Sequence, residues 1–236
     1  MIVLLSTNFI LFFILGLFLL LLTAVITLIF YYVRYVRQSS EEKKFIYTIL
    51  NEQAKKNSIV FLGDSLTDFY RTNEFFLNAD IYNRGIAGNT TDDVLERLQD
   101  NVLNIEPRKL FLQIGTNDLG KRKSVNYILN NIEKIIDHIK LSCPNTLIYI
   151  ISLYPINSTA IPLSKTSTGP RKNTDIDVIN KMLEQLCITK DISYIDVASH
   201  LKDKKGNLSK EYTVEGLHIS LLGYAKITEI LKPFVY

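Results

Sequence analysis

The chain has 236 residues, which suits one medium-sized domain plus an extension, with 47% hydrophobic residues and a net charge of +3. So modest a charge, with only short basic runs at 121–123 and 202–205, excludes the broad basic face of a nucleic-acid binder. Three histidines without a His/Cys/Asp cluster, and two cysteines (Cys143, Cys187) at no metal or disulfide spacing, argue against a metal site, and no cofactor is expected.

Residues 1–33 carry no charged side chain, and 9–32 are almost wholly apolar. About 20 such residues cross a bilayer as a helix. A soluble core helix is rarely apolar on every face. A cleaved leader would need a basic start, a shorter run and a small-residue cleavage site. Here the first basic residue is Arg34, and Tyr31, Tyr32 and Tyr35 resemble an interfacial belt. Residues 1–38 therefore read as a single-pass membrane anchor. Arg34, Arg37, Lys43 and Lys44 all follow the span, so the positive-inside rule places the rest of the chain in the cytoplasm. Residues 39–56, with Phe45, Ile46, Ile49 and Leu50 among charges, predict a juxtamembrane amphipathic helix joining the anchor to a domain at 57–236 and packing on it.

From Ser58 strands and helices alternate. Strands are expected at 59–62, 81–82, 110–114, 146–153 and 193–197. Helices are expected at 90–103, 125–141, 176–188 and 221–231, the first with Asp92 and Asp93 where the helix dipole favours them. This order predicts an α/β fold, a parallel five-stranded sheet flanked by helices, with its site at the carboxyl ends of the strands. Residues 154–173 break the pattern. They hold Pro155, Pro162 and Pro170 and read equally as a functional loop or a disordered insertion.

Four short motifs fall along this pattern: Gly63-Asp64-Ser65-Leu66, Asn83-Arg84-Gly85, Gly115-Thr116-Asn117-Asp118 and Glu215-Gly216-Leu217-His218. Each carries a residue type that acyl transfer needs. Ser65, just past the first strand, is a candidate nucleophile, although a serine there also caps helices. His218, before the last helix, is a candidate base, and Glu215 three residues earlier can orient its ring. Glu211 and a backbone carbonyl are the rival orienters, and His138 and His200 are weaker rivals for the base. An oxyanion needs fixed donors. Candidates are the Ser65 N–H, the Gly85 N–H, which a glycine lets come close, and the Asn117 side-chain amide. Asp64 and Asp118 read as structural braces.

In these blocks the chain resembles the SGNH hydrolases, the GDSL esterase/lipase superfamily, over roughly residue 57 to the C-terminus. The stretch Asn-Arg-Gly-Ile-Ala-Gly-Asn-Thr-Thr (83–91) is most similar to the branch of platelet-activating-factor acetylhydrolase and bacterial lysophospholipase-type esterases. The resemblance implies a three-layer fold with Ser65 as nucleophile, His218 as base, and Gly85 and Asn117 completing the oxyanion hole. It also marks a departure. The family's last block reads Asp-x-x-His, and this chain has Glu215.

The reading is a membrane-anchored serine esterase. It would remove a short acyl or acetyl group from a small-molecule ester, a lipid or an acylated sugar, without a cofactor. Two alternatives stand beside it: an O-acyltransferase on the same fold, and a non-catalytic carbohydrate- or lipid-binding protein.

Overall fold

The computed structural model describes the backbone of residues 2–236 and the side chains of 9–35 and 38–236. The chain divides into two compact units between Glu42 and Lys43.

The expected anchor and juxtamembrane helices form one element, α1 (Ile2–Asn51). No glycine or proline interrupts 33–51, so nothing in the backbone ends the helix there. Its apolar residues from Phe9 to Tyr35 are exposed, and the helix is long and apolar enough to cross a membrane.

The second unit takes in the last turns of α1. Tyr47 donates from Oη to the Gly85 carbonyl at 3.0 Å, and Asn51 Oδ1 accepts from Arg84 Nη2 at 2.6 Å. The buried Arg84 guanidinium lies over the Tyr47 and Tyr82 rings, 4.7 and 5.1 Å from their centroids. This cation lacks a carboxylate partner among these contacts, and the two ring faces stabilise it instead.

Five strands follow: β1 (Ile59–Gly63), β2 (Ile81–Gly85), β3 (Lys109–Gln113), β4 (Leu147–Ile151) and β5 (Ser193–Ile195). All neighbours pair parallel in the order β2-β1-β3-β4-β5. The order reverses at β1, and in such a sheet the crevice opens beyond the carboxyl ends of β1 and β3.

Period-two alternation sends the strand residues to two cores. Val60, Leu62, Leu110 and Leu112 pack on one side with α4 (Thr91–Asn101), α6 (Val125–Ser142) and α8 (Asn173–Thr189). Ile59, Phe61 and Phe111 pack on the other with α10 (Leu221–Val235). Phe61, Phe111 and Tyr149 stack as a ladder at 4.7 Å spacing. Each fully buried aliphatic side chain contributes roughly 1.5–3 kcal/mol. Both faces of the sheet are covered, so its strands read as unbroken apolar runs.

Element boundaries shift by a few residues from expectation. Thr90 caps α4 from outside it, in a reciprocal capping box with Asp93. Short helices the sequence pattern did not announce are α2 (Ser65–Asp68), α3 (Thr72–Phe75), α5 (Thr116–Gly120), α7 (Ser164–Thr168) and α9 (Ala198–Leu201). One-turn helices carry too few residues for a period to show. Residues 154–173 are an ordered connection: Tyr154, Ile156, Asn157, Ser164 and Thr168 are buried.

Candidate active site

Beyond β1 the chain turns sharply into α2. A Cβ on Gly63 would lie 2.2 Å from Thr67 Oγ1 and 2.4 Å from the Gln113 carbonyl, so only glycine fits. Asp64 caps α2 by accepting the Leu66 N–H at 2.9 Å. It is fully buried, and burial pushes its carboxyl up to about 7. Ser65 follows as the first residue of α2, 8% exposed.

Ser65 Oγ lies 3.2 Å from His218 Nε2, and His218 Nδ1 lies 2.7 Å from Glu215 Oε1. The same Glu215 oxygen accepts the His218 main-chain N–H at 3.2 Å. Three sequence-predicted residues therefore form one hydrogen-bonded chain across 153 residues of sequence. Glu211 is not part of it. Its carboxylate is 3.4 Å from Ser209 Oγ. His138 belongs to α6 and His200 to α9.

The loop carrying His218 is braced from both sides. Thr213 Oγ1 donates to the His218 carbonyl at 2.8 Å and accepts the Gly216 N–H at 2.7 Å. Gly216 has φ +102°, and a Cβ there would stand 2.2 Å from the Asn157 carbonyl. The Asn157 N–H donates to the Gly216 carbonyl at 2.8 Å. The 154–173 connection thus holds the histidine loop. The Phe69 ring packs 5.4 Å from the imidazole.

The expected oxyanion donors are arranged differently. The Gly85 N–H already donates to Asn83 Oδ1 at 2.8 Å, so it is not free. Gly85 is needed for another reason: a Cβ there would lie 2.2 Å from the Asp68 nitrogen, where β2 runs against α2. Three residues on, Gly88 occupies a turn closed by the Asn89 N–H on the Ile86 carbonyl, with φ +82°. Neither the Gly88 N–H nor the Ser65 N–H hydrogen-bonds another described residue. Asn117, on α5, donates from Nδ2 to the Asn89 carbonyl at 3.0 Å and so joins the Gly88 turn. The sequence clue to Gly88 was present in the second glycine of Asn-Arg-Gly-Ile-Ala-Gly, since a turn at positive φ requires that residue type.

Two arginines were not anticipated. Arg97, 3% exposed, donates from Nε to Asn89 Oδ1 at 2.7 Å and from Nη2 to the Gly63 and Arg84 carbonyls at 3.1 and 2.8 Å. It ties the ends of β1 and β2 to the Gly88 turn, and burial lowers its pKa to about 10. Arg171 reaches α5 from the 154–173 connection. Arg97 lies on the buried face of α4 beside Val94 and Leu98, where a periodicity reading expects apolar residues, and Arg171 lies in a connection without a period. Asp118 accepts the Thr91 N–H at 3.0 Å and the Thr91 hydroxyl at 2.7 Å, which fixes the start of α4 against α5. Among the described residues no group of three or more His, Cys, Asp or Glu side chains is placed to hold a metal ion.

A profile described as the GDSL-like Lipase/Acylhydrolase family matches residues 61–226. The chain belongs to this family. It is also similar to a solved chain from Streptococcus pneumonia, provisionally described as a platelet activating factor, at 34% identity and a TM-score of 0.81. That match covers 86% of this chain and 95% of the other. A GDSL-like lipase from Bacteroides thetaiotaomicron shares the fold at 22% identity and a TM-score of 0.71, over 81% of this chain and 96% of the other. A curated relative, an N-acylneuraminate cytidylyltransferase of Escherichia coli O18:K1:H7, is 27% identical over 210 residues. The match takes in 83% of this chain but only 46% of the relative, so the chain spans less than half of that protein. Residues 61–226 are thus a GDSL-like lipase/acylhydrolase family domain.

Proposed function

We propose that the protein is a membrane-anchored serine esterase that cleaves a short acyl or acetyl ester through Ser65, His218 and Glu215. The observation that carries this reading is the hydrogen-bonded chain from Ser65 Oγ through His218 to Glu215, beside two unpaired main-chain N–H groups and the Asn117 amide. His218 Nε2 takes the Ser65 proton as Oγ attacks the ester carbonyl, and Glu215 balances the imidazolium that forms. The carbonyl oxygen becomes an oxyanion received by the Ser65 N–H, the Gly88 N–H and Asn117 Nδ2. His218 then protonates the leaving alcohol. In a second half-reaction it activates water, which releases the acid and restores Ser65.

Gly88 replaces Gly85 in this reading because the Gly85 N–H is spent on Asn83. Residues 1–38 serve as the anchor, supported by the uncharged sequence of 1–33 and by the exposed apolar residues from Phe9 onward. One relative is named for an N-acylneuraminate, a sugar whose named acyl group is an amide, so O-acylated sugars are tested beside lipid esters for their sugar part alone.

The test is labelling with a fluorophosphonate, followed by turnover of p-nitrophenyl esters of graded chain length. Parent protein is expected to be labelled at Ser65 and to prefer the short esters. Ser65→Ala should lose labelling and at least 10³-fold in kcat while melting like the parent, since loss of a triad member typically costs that much. Near-normal turnover by folded Ser65→Ala would sink the serine mechanism. Transfer of the acyl group to an added sugar, in place of free acid, would turn the reading to an acyltransferase.

A further inference from the structure

Asn117 is the one proposed oxyanion donor that sits on a side chain. A side-chain amide can rotate, and a half-turn about its last bond would exchange the N–H₂ donor for the carbonyl acceptor. An acceptor facing a developing oxyanion would repel it. Something must therefore hold the amide in one sense, and two contacts do. The Asn89 carbonyl, which can only accept, takes one Nδ2–H at 3.0 Å. Arg171 Nη2, which can only donate, meets Asn117 Oδ1 at 3.0 Å. Nδ2 carries two hydrogens, and one remains after the bond to Asn89.

Arg171 is itself held in register with α5. Its Nε donates to the Thr116 carbonyl at 2.7 Å, one residue before Asn117, and its Nη1 donates to the Thr168 carbonyl at 3.1 Å. Glycine at 120 makes room for it: a Cβ there would lie 2.4 Å from Arg171 Nη2 and 2.6 Å from Cζ. The fully buried Asp64 adds an electrostatic partner on the serine side, and the two side chains act on each other's ionisation.

We propose that Arg171 is a positioning residue for the oxyanion hole: its guanidinium fixes the orientation of the Asn117 amide and polarises it, making the 154–173 connection part of the catalytic apparatus. A cation on the amide oxygen draws electron density from Nδ2, so the remaining N–H becomes a stronger donor to the oxyanion. The effect belongs to the transition state, where charge develops on the ester oxygen. It should therefore appear in kcat and leave KM nearly unchanged. This inference rests on the esterase reading given above.

The experiment is a double-mutant cycle on p-nitrophenyl ester turnover, with thermal melting of each variant. Asn117→Ala should lower kcat by about 10²-fold, the typical effect of one oxyanion donor. Arg171→Ala should lower kcat by roughly tenfold or more with little change in KM. In the Asn117→Ala background, Arg171→Ala should cost nothing further, because the group it acts through is gone. Gly120→Ala offers a second route that keeps both residues. Its methyl group displaces only the flexible end of Arg171, so the protein should fold and show the same kcat loss. Millimolar guanidinium ion should restore part of the Arg171→Ala rate and none of the Arg171→Ala/Asn117→Ala rate.

Losses at 171 and 117 that multiply, or a folded Gly120→Ala protein with the parent's kcat, overturn the proposal while leaving the esterase reading intact. Turnover that survives Ser65→Ala removes that reading and the proposal together.

Discussion

Glu215 stands where the family pattern has aspartate, and its geometry allows the role of its charge to be isolated. One carboxylate oxygen accepts both His218 Nδ1–H at 2.7 Å and the His218 main-chain N–H at 3.2 Å. Glu215→Gln keeps an oxygen able to accept both, and those two donors hold that oxygen, not the amide nitrogen, toward the ring. The imidazole tautomer with Nε2 free to receive the serine proton is therefore retained, and what is lost is the negative charge. Unit charges about 4 Å apart attract by about 4 kcal/mol at an effective dielectric constant near 20. The His218 and Glu215 side chains are 34% and 18% exposed, and solvent screening trims that to about 3 kcal/mol. The expected loss in kcat is thus on the order of 10²-fold, with little change in KM. Glu215→Asp retracts the carboxylate by about one C–C bond, ~1.5 Å. The loop cannot follow, because Gly216 is wedged against the Asn157 carbonyl. The charge stays within reach of the imidazolium, so the aspartate variant should fall between the parent and the glutamine variant. The assay is steady-state hydrolysis of p-nitrophenyl butyrate from pH 6 to 9 with matched melting curves. Glutamine-variant turnover within a few-fold of the parent at every pH would remove Glu215 as the triad acid and leave a Ser65–His218 dyad.

Burial raises the Asp64 carboxyl from 3.8 to about 7, so the folded chain binds more protons there than the unfolded chain between those values. Its contribution to stability is therefore fully present below pH 4 and is lost as pH rises through 7, by about 4 kcal/mol in all. Asp64→Asn keeps the oxygen that caps α2, so its melting temperature should gain on the parent's between pH 5 and pH 8. Parallel curves across that range would contradict the shift. A chain beginning at Ser40 keeps the Tyr47 and Asn51 contacts to Gly85 and Arg84 and should be soluble and fully active. A chain beginning at Asn57 takes the Tyr47 ring and the Asn51 acceptor from Arg84 and leaves it the Tyr82 ring and the Asn83 carbonyl. It should lose about 2 kcal/mol in urea unfolding, the scale of hydrogen bonds to a charged group, and an unchanged midpoint would show that these turns of α1 do not support the domain. Full-length protein should resist carbonate extraction from membranes and yield to detergent, whereas release by carbonate alone would refute the anchor.

The order of strands and helices, the apolar N-terminal helix and the residue types of acyl transfer were legible because each rests on local information. A strand such as 59–62 declares itself by an apolar run ending at glycine, and α6 by isoleucines at helical spacing. Ser65, His218 and Glu215 stood out as candidates for the same reason, since each sits in a short motif at an element's end. The partnering of those motifs depended on the tertiary structure. Hydrogen-bond capacity is spent by neighbours distant in sequence, so only the fold shows that Asn83 consumes the Gly85 N–H and leaves Gly88 free. Only the fold shows Glu215, and not Glu211, hydrogen-bonded to His218. The 154–173 connection carries no periodicity, and its order comes from buried contacts with the histidine loop and α5 rather than from propensity. Arg97 and Arg171 act through carbonyls and amides brought together by the parallel sheet. A charge satisfied by main-chain oxygens has no partner residue type to reveal it in sequence, and its place is decided only when the strand ends converge.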